Sequence, residues 1–335
     1  MAKTEKELAF LRDLYINDEW THRFTDVVDK HLTFSKKDEN FLYVNAGTGT
    51  EAPADTALAA ANRRVDIEGA TLVYRRFGNG DAGARPLLCL QHFRGNLDNW
   101  DPALVDRLAA DREVVLVDNR GVGGSTGAVP DNVEDMARDV LRFMDALGLG
   151  PVDLLGFSLG GYVAQEVALV RPRAVRRLVL AGTAPRGAPR IHRWSDDVIE
   201  LAAQDVLDPN RFIRLFFTGS EESRAAAMRF LKRITARTVD RDEPTDLATR
   251  DAQLDAFARW GMPDPSKLAR LQAITQPAFV AAGDNDTMMI TENSRLLAEH
   301  LPNAQLRIYP DSAHGFLDQY PEQFGDHVRA FLNGG

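Results

Sequence analysis

The sequence predicts an α/β fold in which a mostly parallel sheet of eight strands is flanked by helices and interrupted by an inserted helical lid. Three observations lead there. From residue 63 onward, short apolar runs bounded by turn residues alternate with helical stretches, the pattern of strands covered on both faces. The first two runs are joined by a hairpin signal, so the sheet opens antiparallel before the β–α alternation turns it parallel. Between Gly182 and Pro277 the alternation stops, and helix starts occur without a clear strand.

Runs at 64–67 and 72–77 flank Glu68-Gly69, the hairpin turn. Further runs at 87–90, 114–117, 152–155, 178–181, 279–282 and 306–309 complete the eight strands. Helical stretches at 103–110, 133–147, 159–170, 294–301 and 321–332 separate most of them, as crossover connections in a parallel sheet must. Within 183–276, Asp208-Pro209 and Asp264-Pro265 each place an N-capping carboxylate before a proline at the first helical position. That interval is the lid, and 63–182 with 277–335 form the core.

A composition break precedes the core. Five of the seven lysines (Lys3, Lys6, Lys30, Lys36, Lys37) lie in the first fifty residues, where Arg12 and Arg23 are the only arginines. Thr4 and Glu7 make a capping-box pair ahead of Leu8, Leu11 and Tyr15, and Trp20, Phe24, Val27, Val28 and Leu32 repeat the helical spacing. Phe41-Leu42-Tyr43-Val44 then runs into Asn45-Ala46-Gly47-Thr48-Gly49. This opening resembles the first strand and glycine turn of a Rossmann-type methyltransferase, which would imply S-adenosylmethionine. No βα units continue it, so residues 1–50 are expected to be a helical appendage or fusion remnant and 51–62, with Pro53 among small residues, a linker.

With 335 residues, 44% hydrophobic and 27% charged, the chain can bury a substantial core. A net charge of −9 disfavours a nucleic-acid partner, because counterion-release binding needs clustered Lys and Arg. No apolar stretch reaches membrane-spanning length, and Met1-Ala2-Lys3-Thr4-Glu5 lacks a signal-peptide layout, so a cytoplasmic location without membrane attachment is expected. Cys89 is the single cysteine and sits in Leu87-Leu88-Cys89-Leu90, which reads as packing.

The chemistry begins at Gly156-Phe157-Ser158-Leu159-Gly160, a G-x-S-x-G turn between a strand and an apolar helix. Such a turn holds the serine oxygen above the sheet at a helix N-terminus, where backbone N–H groups can stabilise an oxyanion. A serine hydroxyl needs a base. Of seven histidines, His314 alone follows a strand by a short loop and precedes Gly315-Phe316. The base needs a carboxylate, and the run at 279–282 leads into Gly283-Asp284-Asn285-Asp286, where two aspartates compete. The loop after the preceding strand, Leu180-Ala181-Gly182-Thr183-Ala184, carries no carboxylate. Thr287, Met288, Met289 and Ile290 follow the aspartates where calcium ligands would have to stand, so neither a metal nor an organic cofactor is expected.

These motifs resemble those of the α/β-hydrolase fold family over residues 63–333, in the flavour of small bacterial serine esterases and cofactor-free haloperoxidase-like proteins. The resemblance implies the order Ser158, Asp286, His314, with Asp286 at the family's G-x-x-D position and Asp284 a turn residue. Gln91-His92-Phe93-Arg94-Gly95, through to Asn99-Trp100, is similar to the family's His-Gly-x-x-Gly…Asn-Trp loop. Gln91 and His92 there replace His-Gly. The alignment makes the backbone N–H groups of Phe93 and Leu159 the oxyanion donors, with His92 either structural or in contact with substrate. Asp118 and Arg120, in a turn similar to D-x-R-G-x-G-x-S, are expected to be scaffold. Among the lid aromatics, Phe216, Phe217 and Trp260 are expected to line the pocket. A small-molecule ester or related acyl compound is the implied substrate. Perhydrolysis, carbon–carbon bond hydrolysis and a receptor with little turnover stay open as alternatives. A methyltransferase is the rival of a different class.

Overall fold

Strands form where β-branched residues and leucines run together and can be buried whole: Val114–Val117 and Leu87–Leu90 are buried at every position. The computed structural model describes residues 56–78, 84–205 and 209–334; the expected appendage at 1–50 lies outside the described residues. Eight strands, β1 (Arg63–Ile67), β2 (Ala70–Phe77), β3 (Leu87–Leu90), β4 (Val114–Val117), β5 (Val152–Phe157), β6 (Val175–Ala181), β7 (Ala278–Gly283) and β8 (Ala304–Tyr309), make one sheet ordered β1-β2-β4-β3-β5-β6-β7-β8. The β1–β2 and β2–β4 pairings are antiparallel, and every other neighbour is parallel.

The helices are α1 (Pro102–Leu108), α2 (Val133–Ala146), α3 (Leu159–Val170), α4 (Asp196–Ala202), α5 (Pro209–Phe216), α6 (Glu221–Ile234), α7 (Leu247–Trp260), α8 (Thr291–His300), α9 (Phe316–Gln319) and α10 (Pro321–Leu332). Side-chain caps mark some of their starts. Asp101 accepts from the Ala103 N–H ahead of Pro102, and Asn132 accepts from the Asp135 N–H at the start of α2.

Several expectations need correction. Cover on both faces fails at the sheet edges: β1 and most of β8 are exposed or half-buried, because each edge strand has a neighbour on one side only. The strands also run past the apolar runs, as in β5, where Gly156 and Phe157 still pair with Leu180 and Ala181 of β6. Pro209 opens α5, with Asp208 outside the described residues, whereas Asp264-Pro265 opens a 3-10 stretch, Pro265–Ala273, rather than an α-helix. The end of the expected linker is docked. The Ala57 N–H donates to Asp106 Oδ1 at 2.7 Å, and Ala57 and Ala60 are buried. Among the described residues no helix is long and apolar enough to cross a membrane.

Candidate active site

β5 delivers Ser158. Its backbone stands at φ 55°, ψ −116°, the left-handed side of the map that a non-glycine residue adopts only under constraint. The constraint is visible: the Ser158 N–H donates to Ala181 O at 2.9 Å, while its carbonyl accepts from the Gly161 N–H at 2.9 Å and from Thr183 Oγ1 at 2.8 Å. Glycine is obligatory on both sides, since a Cβ at Gly156 would lie 2.3 Å from Gly160 O, and one at Gly160 would lie 2.2 Å from Leu90 O. The turn therefore places Ser158 directly before the N-terminus of α3.

The loop after β8 carries His314, and the loop after β7 carries both aspartates. Asp286 is the one that reaches the histidine: His314 Nδ1 and Asp286 Oδ2 are 2.7 Å apart with both side chains buried. Asp286 Oδ1 accepts from the N–H groups of Met288 (2.9 Å) and Met289 (2.8 Å), which aims the other oxygen at the ring. Asp284 is exposed, and its Oδ1 accepts from the Ser312 N–H at 3.1 Å, so it braces the histidine loop as a turn residue. The imidazole is held between Phe157, stacked at 5.1 Å, and Phe216, edge-on at 5.2 Å.

Among the described residues Ser158 Oγ and His314 Nε2 have no hydrogen-bond partner, and both residues border one small cavity of about 20 Å³. The other walls are His92, Phe93, Ala202, Phe212, Leu215, Phe216 and Met288. This volume is far below the about 300–1,000 Å³ of small-molecule sites. Ser158 and His314 are fully shielded from solvent.

Of the expected lid residues, Phe216 lines the cavity, but Phe217 and Trp260 do not. Phe217 packs on Phe230 at 5.8 Å; Trp260 stacks on Tyr162 at 5.1 Å and donates through Nε1 to Ala184 O at 3.3 Å. Phe217 thus packs within the lid, whereas Trp260 packs the lid onto α3. Phe93 has its ring between Trp194 and Phe257, at 5.5 and 5.7 Å, and among the described residues neither its N–H nor that of Leu159 donates to a protein acceptor. Asp118 is structural as expected: Oδ1 accepts from the Leu97 N–H and Oδ2 from the Gly124 N–H, while burial raises the carboxyl well above the usual carboxylate range. Arg120 pairs with Asp139 at 2.6 Å.

Sequence reasoning missed Arg94. Its own φ is 59°, its N–H donates to Gln253 Oε1 at 2.6 Å, and its guanidinium donates to the carbonyls of Gln204 (2.6 Å), Asp205 (3.1 Å) and Thr245 (3.1 Å). One residue thereby ties the loop after β3 to two separate parts of the lid. Its place between Phe93 and Gly95 was the only signal available. Among the described residues no cluster of His, Cys, Asp or Glu is placed to hold a metal ion.

A serine on a strained strand-to-helix turn, above a parallel sheet and beside a histidine–aspartate pair, defines a class of hydrolytic enzyme. The chain belongs to the alpha/beta hydrolase fold family, whose model matches residues 85–321, and it is a hydrolase of that fold. It is similar to RutD of Agrobacterium fabrum, named as a carbamate hydrolase, with 30% identity over 258 residues covering 76% of this chain and 95% of that protein. It is also similar to the poly(3-hydroxyalkanoate) depolymerase of Ectopseudomonas oleovorans, 30% identical over 257 residues, covering 74% and 84% of the two chains. Among solved structures, the alpha/beta hydrolase fold protein from Chitinophaga pinensis superposes with a TM-score of 0.79 at 39% identity, covering 84% of this chain and all of that one. The opening resemblance to a methyltransferase has no support among these relatives.

Proposed function

We propose that the chain is a serine hydrolase that cleaves a carboxylic ester or related acyl substrate through an acyl-enzyme, with Ser158 as nucleophile, His314 as base and Asp286 as the carboxylate that orients the base. The observation that carries this reading is the shared cavity: among the described residues Ser158 Oγ and His314 Nε2 both lack protein partners, while His314 Nδ1 is engaged by Asp286. A carboxylate accepts, so Nδ1 carries the proton and Nε2 offers its lone pair. As Oγ attacks the acyl carbon, Nε2 takes the hydroxyl proton, and the N–H groups of Phe93 and Leu159 receive the oxyanion. Collapse expels the alcohol or amine, which takes the proton from His314. Water then repeats the sequence on the acyl-serine and releases the acid, so the reaction balances without a cofactor. The names of two relatives, a carbamate hydrolase and a polyester depolymerase, support cleavage between an acyl carbon and a heteroatom.

The charge of −9 and the lone cysteine support a small-molecule enzyme of the cytoplasm. The chemistry is assigned to 63–182 and 277–335, pocket shape to the lid at 183–276, and no part to the appendage at 1–50; a chain beginning at Ala54 is expected to keep its turnover per folded molecule. The deciding experiment is labelling with a fluorophosphonate together with turnover of activated esters of increasing acyl length. Stoichiometric label on Ser158 and a preference for short acyl groups are expected. An unlabelled, folded protein that cleaves no ester of the series would sink the reading.

A further inference from the structure

His92 occupies the loop position where the family pattern has glycine, and it places a second imidazole in the cavity with Ser158 and His314. Its ring is buried, edge-on to Phe157 at 5.3 Å and to Phe216 at 5.1 Å. Its backbone is fixed by the Gln91 side chain, whose Oε1 accepts from the His92 N–H at 2.9 Å. Nδ1 lies 2.8 Å from the carbonyl oxygen of Phe93. A carbonyl oxygen can only accept, so Nδ1 carries the proton and Nε2 is left with a lone pair. Among the described residues Nε2 has no protein partner. The ring also stays neutral: burial lowers its pKa from 6.5 to about 3, only partly opposed by the Phe93 carbonyl and reinforced by the nearby His314.

The remaining side-chain walls, Phe93, Ala202, Phe212, Leu215, Phe216 and Met288, offer no strong hydrogen-bonding group. Apart from the serine, its base and the backbone N–H groups assigned to the oxyanion, the described lining of the cavity presents one fixed polar side chain, an acceptor. We propose that His92 is a specificity-determining residue whose Nε2 accepts a hydrogen bond from substrate, so that the preferred substrates are small acyl compounds carrying an O–H or N–H donor close to the scissile carbonyl. Hydroxyacyl esters are the simplest members of that class. This deepens the serine-hydrolase reading and rests on it. A site built to bond a substrate donor discriminates against the analogue that lacks it, because the buried acceptor is then left unpaired; for one neutral bond this corresponds to about tenfold to a hundredfold in kcat/KM.

The test compares 4-nitrophenyl butyrate with the 2-hydroxy and 3-hydroxybutyrate esters on the full chain. For the wild type, at least one hydroxy ester is expected to exceed butyrate in kcat/KM by about tenfold or more, corrected for the esters' own reactivity in buffer. His92→Phe keeps an aromatic ring but no acceptor, and it should remove the preference through a selective fall on the hydroxy ester. His92→Gln, which retains an acceptor oxygen, should recover part of it. The wild-type preference should hold unchanged from pH 5 to pH 8. Equal rates for all three esters in the wild type would overturn the proposal without need of any variant, as would an equal fall on all esters in His92→Phe, which marks a merely structural residue. If no ester is cleaved and Ser158 takes no fluorophosphonate, the serine-hydrolase reading falls and the proposal with it; labelled Ser158 with no ratio loses the proposal alone.

Discussion

The sheet side and the lid side of the cavity are built by different physics. On the sheet side, Ser158, Asp286 and His314 stand directly after β5 or in the loops that follow β7 and β8, and main-chain hydrogen bonds aim the serine and the aspartate. On the lid side, Ala202 of α4 and Phe212, Leu215 and Phe216 of α5 form the wall, held mainly by side-chain packing, with a main-chain tie where the Gly315 N–H donates to Phe216 O at 2.8 Å. Phe212 stacks on Phe216 at 3.8 Å and on Phe230 at 5.7 Å. Chemistry is thus set by local backbone geometry, whereas substrate shape is set by packing between segments far apart in the chain. Arg94 is where the two meet.

If that division is right, the largest effects come from the sheet side. Ser158→Ala and His314→Ala should each lower kcat by about three to six orders of magnitude, with the double variant no worse than either, because the pair acts as a unit. Asp286→Asn should lower it about 10⁴-fold by favouring the wrong imidazole tautomer. Asp284→Asn keeps the Oδ1 acceptor for Ser312 and should retain most activity. Steady-state kinetics decide, and swapped effects at the two aspartates would reassign the acid.

Arg94→Ala tests the junction. Losing the guanidinium leaves the carbonyls of Gln204, Asp205 and Thr245 without that donor, and Phe93 loses its anchored neighbour. A fall in kcat of about ten- to a hundredfold is expected, with KM moving less, since a misplaced oxyanion donor acts in the transition state. Arg94→Lys should not restore it, because one ammonium cannot span three carbonyls as the planar fork does. Unchanged kcat would mean that the oxyanion loop stands without the lid.

Lid side chains should alter selectivity or stability, not chemistry. Phe216→Ala opens the cavity and should shift the acyl-length optimum upward by several-fold in relative rate. Trp260→Ala should leave the ratios unchanged while destabilising the fold by about 3–5 kcal/mol, as aromatic truncation in a core does. An acyl-length series and a denaturation curve on each variant separate the two.

A separate effect is on acid stability. The folded state holds His92 at a pKa of about 3 against 6.5 for the free side chain, so below pH 6.5 the unfolded chain takes up the proton first. Stability contributed by this residue is complete above pH 6.5 and falls by roughly 1 kcal/mol per unit as pH drops toward 3. Replacing it with Phe should flatten the stability profile between pH 4 and pH 6.5 by up to that slope, measured by urea denaturation. An unchanged profile would show that His92 charges without unfolding.

Much of the sheet was legible because its signals are local. Alternating apolar runs, the Glu68-Gly69 hairpin, the proline and aspartate caps and the G-x-S-x-G turn each act over a few residues, and the backbone has few other ways to satisfy them. The same holds for Ser158 before α3 and for His314 behind a strand. What the tertiary structure alone decided involves partners distant in sequence: Asp286 rather than Asp284 meets a histidine 28 positions on, and Arg94 meets Gln253 across 159. Phe216 faces the cavity while Phe217 turns into the lid and Trp260 onto Tyr162 of α3, a choice that helical spacing does not make because all three are equally apolar. The Nδ1 proton of His92 follows from one carbonyl 2.8 Å away. Hydrogen-bond direction and side-chain facing are properties of assembled contacts, and no residue type specifies them before the chain has folded.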